Sequence, residues 1–204
     1  MLQEKFIHLL AKFTNDSDLI NKYWTEIKKN YAAKARHYHT LAHLDNLLHQ
    51  LMSVKSNISN WESVLFALYY HDIIYNPLKS NNEEQSALLA EKRMIKAGVP
   101  IIIIEQCKAH ILATKQHLSN PQSDTNLFTD ADLSILGLDW ETYSSYYKNV
   151  RKEYSVYPDL IYIPGRKKVL NHFLKMDRIF KSDYFYAEFE HQAKLNLQQE
   201  LQSL

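Results

Sequence analysis

The stretch VLFALYYHDIIY, residues 64–75, joins a run of large apolar side chains to the dipeptide His71-Asp72. On a helix, Val64, Leu68 and His71 fall at positions i, i+4 and i+7, so His71 continues the face that should point into the core. A carboxylate beside that face is costly to bury unless a cation or a network of hydrogen bonds compensates its charge. A bound metal ion is the simplest compensation, and the stretch therefore predicts a buried helix that carries a metal ligand.

The composition of the chain favours long helices over sheets. Its 204 residues include only three glycines and five prolines, while residues that form helices well, such as Leu, Lys, Glu, Gln and Ala, are plentiful. Because turn-forming residues are few, few hairpins are expected. No internal repeat or low-complexity linker interrupts the pattern. We therefore predict a single all-α domain that covers residues 1–204.

Charge and hydropathy argue against two classes of partner. The formal net charge is +1, and no block of like charges resembles a tail that binds nucleic acid. Apolar runs such as 64–70 and 101–104 are far shorter than the ~20 residues that span a bilayer.

The N-terminal segment carries Glu4 early and is interpreted as an amphipathic helix instead of a signal peptide. A single cysteine, Cys107, fits a reducing compartment, so a cytoplasmic location is expected.

Periodicity and capping residues divide the chain into predicted helices. Ser59 with Glu62 fits a capping box at the start of the fourth helix, and Gly98 is placed to end the fifth. Irregular structure is expected at 118–125 and 157–165. The predicted bounds are about 2–13, 18–31, 40–55, 60–74, 81–96, 100–116, 127–137, 139–153, 165–181 and 183–203.

Histidines cluster in RHYHTLAH, residues 36–43. His39 and His43 are four residues apart, which places them on one helix face about a turn apart. One imidazole could then bind a metal ion while the other faces a substrate. The alternative is that these histidines are exposed or hydrogen-bonded within the core. Three histidines close together, with His37 as the third, favour a functional site.

Aspartates supply the other candidate ligands. The side chains of His71 and Asp72 leave a helix about 100° apart, and a cation between the two directions could be reached by both. In TDADLSIL, residues 129–136, one of Asp130 and Asp132 should face inward, and the other should cap a helix or face water. Imidazole nitrogens together with carboxylate oxygens suit Zn, Mn, Fe, Co or Ni.

These motifs resemble those of a known group of enzymes. His43, His71-Asp72 and Asp132 look like the H…HD…D pattern of the HD superfamily of metal-dependent phosphohydrolases. Within that superfamily the chain is similar to a family of predicted phosphohydrolases of comparable length, and the similarity covers most of the chain. The resemblance implies an HD-domain helical bundle with additional C-terminal helices. The matching motifs are RHYHTLAH, YYHDIIYNPLKSNNEEQSA, TDADLSILG, RKEY and QAKLNLQQEL.

The resemblance also implies roles for individual residues. His43, His71, Asp72 and Asp132 would be the ligands of one divalent ion, taken from Mn, Fe, Co, Ni, Zn or Mg. Asp72 could bridge this ion to a second one.

A further similarity, to the cyclic-nucleotide phosphodiesterases, concerns the proton donor. YHTLAH resembles their Tyr-His-Asn-x-x-His, and DLSIL resembles their Asp-Leu-Ser-x-Ile, so His39 matches the general acid that protonates the leaving oxygen. This chain has Thr40 where those enzymes have Asn, and it lacks their much longer C-terminal substrate pocket. Specificity for cyclic nucleotides therefore does not carry over.

A second metal ion and its outer shell are weaker expectations. Some HD proteins place two more histidines before the last Asp, and His110 and His117 match that arrangement. Seven residues are about two helical turns, so both could share a face if the helix runs that far. The alternative makes His110 a polar core residue and leaves His117 in water at a helix end. Glu83 and Glu84 are candidate outer-shell residues, or they form a charged first helical turn.

Cationic side chains could neutralise a phosphate through bidentate hydrogen bonds. Arg36 and Arg166 are the leading candidates and Arg151 is a third, although a single arginine is more often a surface residue.

The resulting hypothesis is hydrolysis of a phosphate ester or anhydride, with a nucleotide or another small phosphorylated metabolite as substrate. Water activated by the metal ion would attack phosphorus, and His39, with an ordinary pKa of about 6.5, would protonate the leaving group. Two alternatives stay open: oxidative chemistry at a di-iron centre, or a regulatory domain that binds a nucleotide without turnover. No nucleic acid or membrane partner is expected, and the sequence leaves a homodimer open.

Overall fold

The computed structural model of the protein describes residues 1–204. Helices account for 71% of the chain and there is no strand, so the prediction of an all-α fold is confirmed. The chain divides into two compact units, Met1–Thr129 and Asp130–Leu204, which are described in turn. The prediction of one domain stays a prediction. The ten α-helices are α1 (Leu2–Leu10), α2 (Ser17–Tyr31), α3 (Leu41–Ser53), α4 (Trp61–Tyr70), α5 (Asn82–Lys96), α6 (Ile101–Ala113), α7 (Ser123–Leu133), α8 (Trp140–Glu153), α9 (Asp159–Leu174) and α10 (Asp183–Ser203).

The first unit is built around α4, the helix that contains the run VLFALYY. Helices α1, α3, α5 and α6 all contact it, and every residue from Ser63 to His71 is buried. A helix that is apolar on all sides must be covered on all sides. Near its C-terminal end, the hydroxyl of Tyr69 donates to the Leu2 carbonyl at 2.9 Å. The most apolar stretch of the sequence is therefore the centre of this unit.

The ends of α4 differ from the prediction. Asn60 caps the helix by accepting a hydrogen bond from the Ser63 N–H at 3.1 Å, so the predicted capping box at Ser59 and Glu62 is wrong. The helix ends at Tyr70 instead of residue 74, and a turn follows it. The dipeptide His71-Asp72 therefore opens a turn and does not lie within the helix.

The second unit is organised around α10. This helix contacts α8, α9 and the 3₁₀ turn at Ser134–Gly137. Inside the unit, Arg166 makes a bidentate ion pair with Glu200, with N···O distances of 2.7 and 2.9 Å, and the hydroxyl of Tyr143 donates to the same carboxylate. Arg166 and Glu200 are 8% and 1% exposed. Removing one partner of such a buried pair leaves the other charge uncompensated, so the pair fixes α9 against α10.

Two segments predicted to be irregular are partly helical. Helix α9 begins at Asp159, although Pro164 lies within it. Proline has no backbone N–H, so the carbonyl of Leu160, four residues earlier, lacks its usual helical hydrogen bond. Leu160 is 87% exposed, and water can therefore donate to this carbonyl instead. Helix α7 begins at Ser123, inside the stretch expected to be a loop.

None of these helices is both long enough and apolar enough to cross a bilayer.

A close approach at Gly137 gives the first prediction. A Cβ atom there would lie 2.5 Å from the Phe189 Cβ and 2.6 Å from the Phe189 carbonyl oxygen. Because backbone atoms cannot move aside easily, we expect Gly137→Ala to lower the free energy of unfolding by about 1–3 kcal/mol. Chemical denaturation followed by circular dichroism would measure it.

Gly165→Ala is the matched control, because a Cβ atom added there would meet nothing within 4 Å. It replaces a glycine within a helix by alanine and should leave stability unchanged or raise it by up to about 1 kcal/mol. Equal stability of the Gly137 variant and the unaltered chain would contradict the close approach.

Candidate metal centre

The segment that carries the upstream histidines enters α3. His39 precedes the helix, which begins at Leu41, and His43 lies in its first turn. The two residues therefore do not share a helix as predicted, but their rings are still neighbours, with centroids 5.8 Å apart. The side chain of His43 is 5% exposed and that of His39 is 18% exposed. His43 faces the interior, while His39 keeps access to solvent.

A close polar contact joins His43 and His71. Their Nε2 atoms are 3.0 Å apart. Two imidazole nitrogens that each lie about 2.1 Å from one cation, at 90–110° to each other, are about 3.0–3.4 Å apart. The Nδ1 atom of His71 lies 3.1 Å from the Leu68 carbonyl, which can only accept, so Nδ1 carries the proton. In the neutral ring the Nε2 lone pair of His71 therefore points towards His43, the orientation that suits a metal ligand.

Asp72 brings a negative charge to these imidazoles. Its Oδ2 lies 3.1 Å from Nε2 of His71 and 3.8 Å from Nε2 of both His43 and His39. Burial raises the pKa of Asp72, but the positive charges of His71, His39 and His43 in their protonated forms outweigh burial and hold that pKa well below its usual value. The carboxylate is therefore anionic at neutral pH. We call these four residues the His–Asp cluster.

Helix α7 carries the last predicted ligand. The Phe128 ring lies against the His71 ring, with centroids 5.8 Å apart, and Asp132 follows Phe128 by about one turn of the same helix. His43 and His71 belong to the first unit and Asp132 to the second, so the prediction that Asp132 shares a metal ion with them stays a prediction.

The neighbouring Asp130 has a different task. Its carboxylate accepts hydrogen bonds from the backbone N–H of Lys181 at 2.9 Å and from the N–H and hydroxyl of Ser182, both at 2.7 Å. These bonds hold the backbone just before α10, and the carboxylate is fully buried. The sequence predicted that one of the two aspartates would face inward and the other would cap a helix or face water, and Asp130 faces inward.

Arg36 ties the two halves of the His–Asp cluster together. Its Nη1 donates to the carbonyl oxygens of His39 at 3.1 Å and of Asp72 at 2.7 Å, and its Nη2 donates to that of Ile73 at 2.9 Å. The guanidinium therefore links the segment before α3 to the turn after α4.

The prediction that Arg36 binds phosphate is corrected by this geometry. The residue is 9% exposed, and its guanidinium lies 4.8 Å from the Tyr31 ring centre and 5.5 Å from that of Tyr75. Its donors face backbone carbonyls, so it positions the cluster. The same correction applies to Arg166, whose donors are occupied by Glu200.

The two histidines proposed for a second metal ion are not arranged as a pair. Helix α6 ends at Ala113, so His117 lies beyond it and the two cannot share a helix face. The hydroxyl of Thr125 lies 2.9 Å from Nδ1 of His110, and that of Ser63 lies 3.2 Å from Nε2. Both ring nitrogens of His110 are thus engaged by hydroxyls, as expected of a polar core residue. Burial lowers the pKa of His110 to about 4.

The candidate outer-shell glutamates lie in the first turn of α5. Glu84 pairs with Lys115, and the ammonium of Lys115 also donates to the Ser80 carbonyl at 2.8 Å. This arrangement matches the alternative of a charged first turn. The third arginine, Arg151, pairs with Asp159 at 2.7 Å.

Comparison with protein families, with curated proteins and with solved structures finds no match. The function therefore has to be inferred from the side chains of the His–Asp cluster themselves.

Arg36 generates a prediction about metal affinity. Arg36→Lys keeps a positive charge, but a lysine cannot donate to the three carbonyl oxygens at once. The segment before α3 and the turn after α4 should therefore be held together less firmly. We expect divalent-metal affinity, measured by competition with a chelator, to fall by about 10–100-fold. Arg151→Lys is the matched control, because Arg151 also donates to two backbone carbonyls but lies outside the cluster. Equal affinity of the two variants would show that Arg36 does not position the ligands.

His110 generates a prediction about pH. The folded chain holds this imidazole neutral down to about pH 4, whereas in the unfolded chain it binds a proton below about pH 6.5. The unfolded state thus takes up the proton first, and the fold loses stability as the pH falls between these values, by at most on the order of 3 kcal/mol from this group.

His110→Gln removes the titrating group but keeps polar atoms near the two hydroxyls. Its unfolding free energy should fall less steeply between about pH 6.5 and pH 4 than that of the unaltered chain, as measured by denaturant titration. An unchanged slope would mean that His110 binds its proton at the same pH in the folded and the unfolded chain, which would contradict its lowered pKa.

Proposed function

We propose that the chain is a metal-dependent phosphohydrolase of the HD-superfamily type. The observation that carries the proposal is the 3.0 Å approach of the His43 and His71 Nε2 atoms, with the anionic Asp72 oxygen 3.1 Å from His71. The substrate is a phosphate ester or anhydride of a small metabolite, with a nucleotide as the leading candidate.

The donor set fits a divalent transition metal. Two imidazole nitrogens with carboxylate oxygens suit Mn, Fe, Co, Ni or Zn, whereas Mg prefers oxygen ligands alone. In this proposal His43, His71, Asp72 and Asp132 hold the ion. A single ion is favoured, because His110 is bonded to hydroxyls, and this gives the di-iron alternative no support. When bound, the ion supplies an activated water nucleophile and polarises the phosphoryl group.

The ligands are prepared for this task by the fold. His71 is fixed in one tautomer by its bond to the Leu68 carbonyl, so no proton has to leave Nε2 before a cation binds. Asp72 is held anionic by its surroundings and supplies negative charge, which lowers the cost of placing a dication among buried groups. Arg36 fixes the backbone on both sides of the cluster.

His39 is the proton donor in the proposed reaction. Its side chain is 18% exposed, whereas His43 and His71 are 5% and 1% exposed, so it is the imidazole of the cluster that a substrate can reach most easily. Its ring lies against Tyr75, with centroids 4.3 Å apart, which limits its rotation. An imidazole suits proton transfer to a leaving oxygen at neutral pH.

Two substitutions test this division of roles. His71→Ala should abolish metal binding, because it removes a ligand. His39→Ala should keep the metal and slow turnover by about 10²–10⁴-fold, because it removes only the proton donor. Metal content would be measured on the purified protein, and turnover by phosphate release from a panel of nucleotides with several divalent ions.

His49→Ala is the matched control, since His49 lies on the exposed side of α3. It should change neither metal content nor turnover. Loss of metal from His39→Ala as complete as from His71→Ala would contradict the assigned roles. Absence of phosphate release with every nucleotide and every ion would contradict the proposed activity.

A further inference from the structure

A cavity of about 490 Å³ lies in the first unit between α1 and the start of α4. Its walls come from α1, from the 3₁₀ turn at Lys55–Asn57 and from the first two turns of α4. Cavities that bind small molecules have volumes of about 300–1,000 Å³, so this one can accept a small organic ligand. None of its lining residues belongs to the His–Asp cluster, and the proposed function makes no use of it.

The buried part of the cavity lining is apolar. Leu9 and Leu65 line it and are 2% and 6% exposed. Trp61 lies four residues before Leu65, on the same face of α4, and adds an aromatic side chain that is only partly buried. Apolar and aromatic side chains around a cavity are the surroundings that favour an apolar or aromatic part of a ligand.

The two helices that form the cavity are fixed against each other. The Phe6 ring packs edge-on against the Tyr69 ring, with centroids 5.0 Å apart, and the Tyr69 hydroxyl donates to the carbonyl near the start of α1. Just after the other end of α1, the Lys12 ammonium donates to the Glu62 carboxylate at 2.6 Å. Helix α1 is therefore held on α4 near both of its ends. A cavity formed in advance spares a ligand the entropic cost of ordering its walls.

Three lysines surround the apolar lining, and two of them are not neutralised. Lys12 is paired, as described above. Lys5 makes no ion pair, and Nζ of Lys55 lies 5.4 Å from the centre of the Trp61 ring without a carboxylate partner. The carboxylate of Glu4 also lines the cavity, but it is 81% exposed, so water and salt screen its charge. Positive charge without a partner therefore lies beside an aromatic ring.

We propose that this cavity is a second ligand site, which binds a small aromatic anion. The ring of the ligand packs against Leu9, Leu65 and Trp61, and its carboxylate or phosphate accepts hydrogen bonds from Lys5 and Lys55. A neutral aromatic ligand would leave both ammonium groups without an anion, and an inorganic anion would leave the apolar lining in water. A ligand with both parts matches the lining as a whole. Because the cavity is separate from the His–Asp cluster, this inference does not rest on the proposed function.

Two probes of nearly equal shape test the proposal: 2-naphthoate, a ring system with a carboxylate, and its neutral amide, 2-naphthamide. Binding would be followed by nitrogen–proton NMR, in which Trp24, Trp61 and Trp140 give three indole N–H signals, and Trp61→Phe identifies the signal of Trp61. We expect 2-naphthoate to shift the Trp61 signal with a dissociation constant of about 1 mM or lower. The amide should bind at least about 10-fold more weakly, because it lacks the charge.

Substitution of the two lysines gives a second comparison. Lys5→Gln combined with Lys55→Gln should weaken the binding of 2-naphthoate by at least about 10-fold and leave that of 2-naphthamide unchanged. Lys22→Gln combined with Lys92→Gln is the matched control, because it removes the same charge from two exposed lysines of the first unit that do not line the cavity. This control should bind 2-naphthoate as the unaltered chain does.

Three results would overturn the proposal. The Trp61 signal could stay in place when 2-naphthoate is added, or 2-naphthoate could shift only the signals of Trp24 and Trp140. Equal affinity for 2-naphthoate and 2-naphthamide would show that the lysines do not bind the anion. This last comparison uses the unaltered protein, so it holds even if the lysine variants fail to fold.

Discussion

Two buried imidazole nitrogens lie 3.0 Å apart, and this contact constrains the rest of the site. His71 cannot place a proton between them in its neutral form, because its own proton is held by the Leu68 carbonyl. A proton from His43, a second proton on His71 or a bound cation can occupy the space, and the anionic Asp72 beside them stabilises positive charge there. The proposed function assigns this place to a metal cation. The metal hypothesis thus follows from the direction of lone pairs as well as from the residue types.

The fold keeps these groups together through packing and through one arginine. The burial of α4 on all sides fixes the backbone up to its last turn, so the position of His71 is determined by the core of the first unit. Arg36 then holds the turn after α4 and the segment before α3 by their carbonyl oxygens. A cluster supported in this way loses little entropy when it binds an ion, which is the physical advantage of a preorganised site.

Much of the fold could be predicted from the sequence, because hydrophobic period and composition decide where helices form. The end of α4 could not, since it depends on hydrogen bonds from Arg36, which is far away in the chain. The same reason explains the error at Arg166: its partner Glu200 is 34 residues away, and no local pattern reveals the pairing. For the site, spacing singled out His43 and His71, but no local pattern showed that Arg36 would donate to backbone carbonyls, because two of those carbonyls lie 36 and 37 residues away in the chain.

The most direct test of the metal hypothesis is anomalous X-ray diffraction from crystals of the unaltered protein grown with Mn²⁺ or Zn²⁺. We predict one strong peak that lies about 2.0–2.3 Å from Nε2 of His43, from Nε2 of His71 and from a carboxylate oxygen of Asp72. A map with no peak between the imidazoles, and with the two rings joined directly by a hydrogen bond, would contradict it.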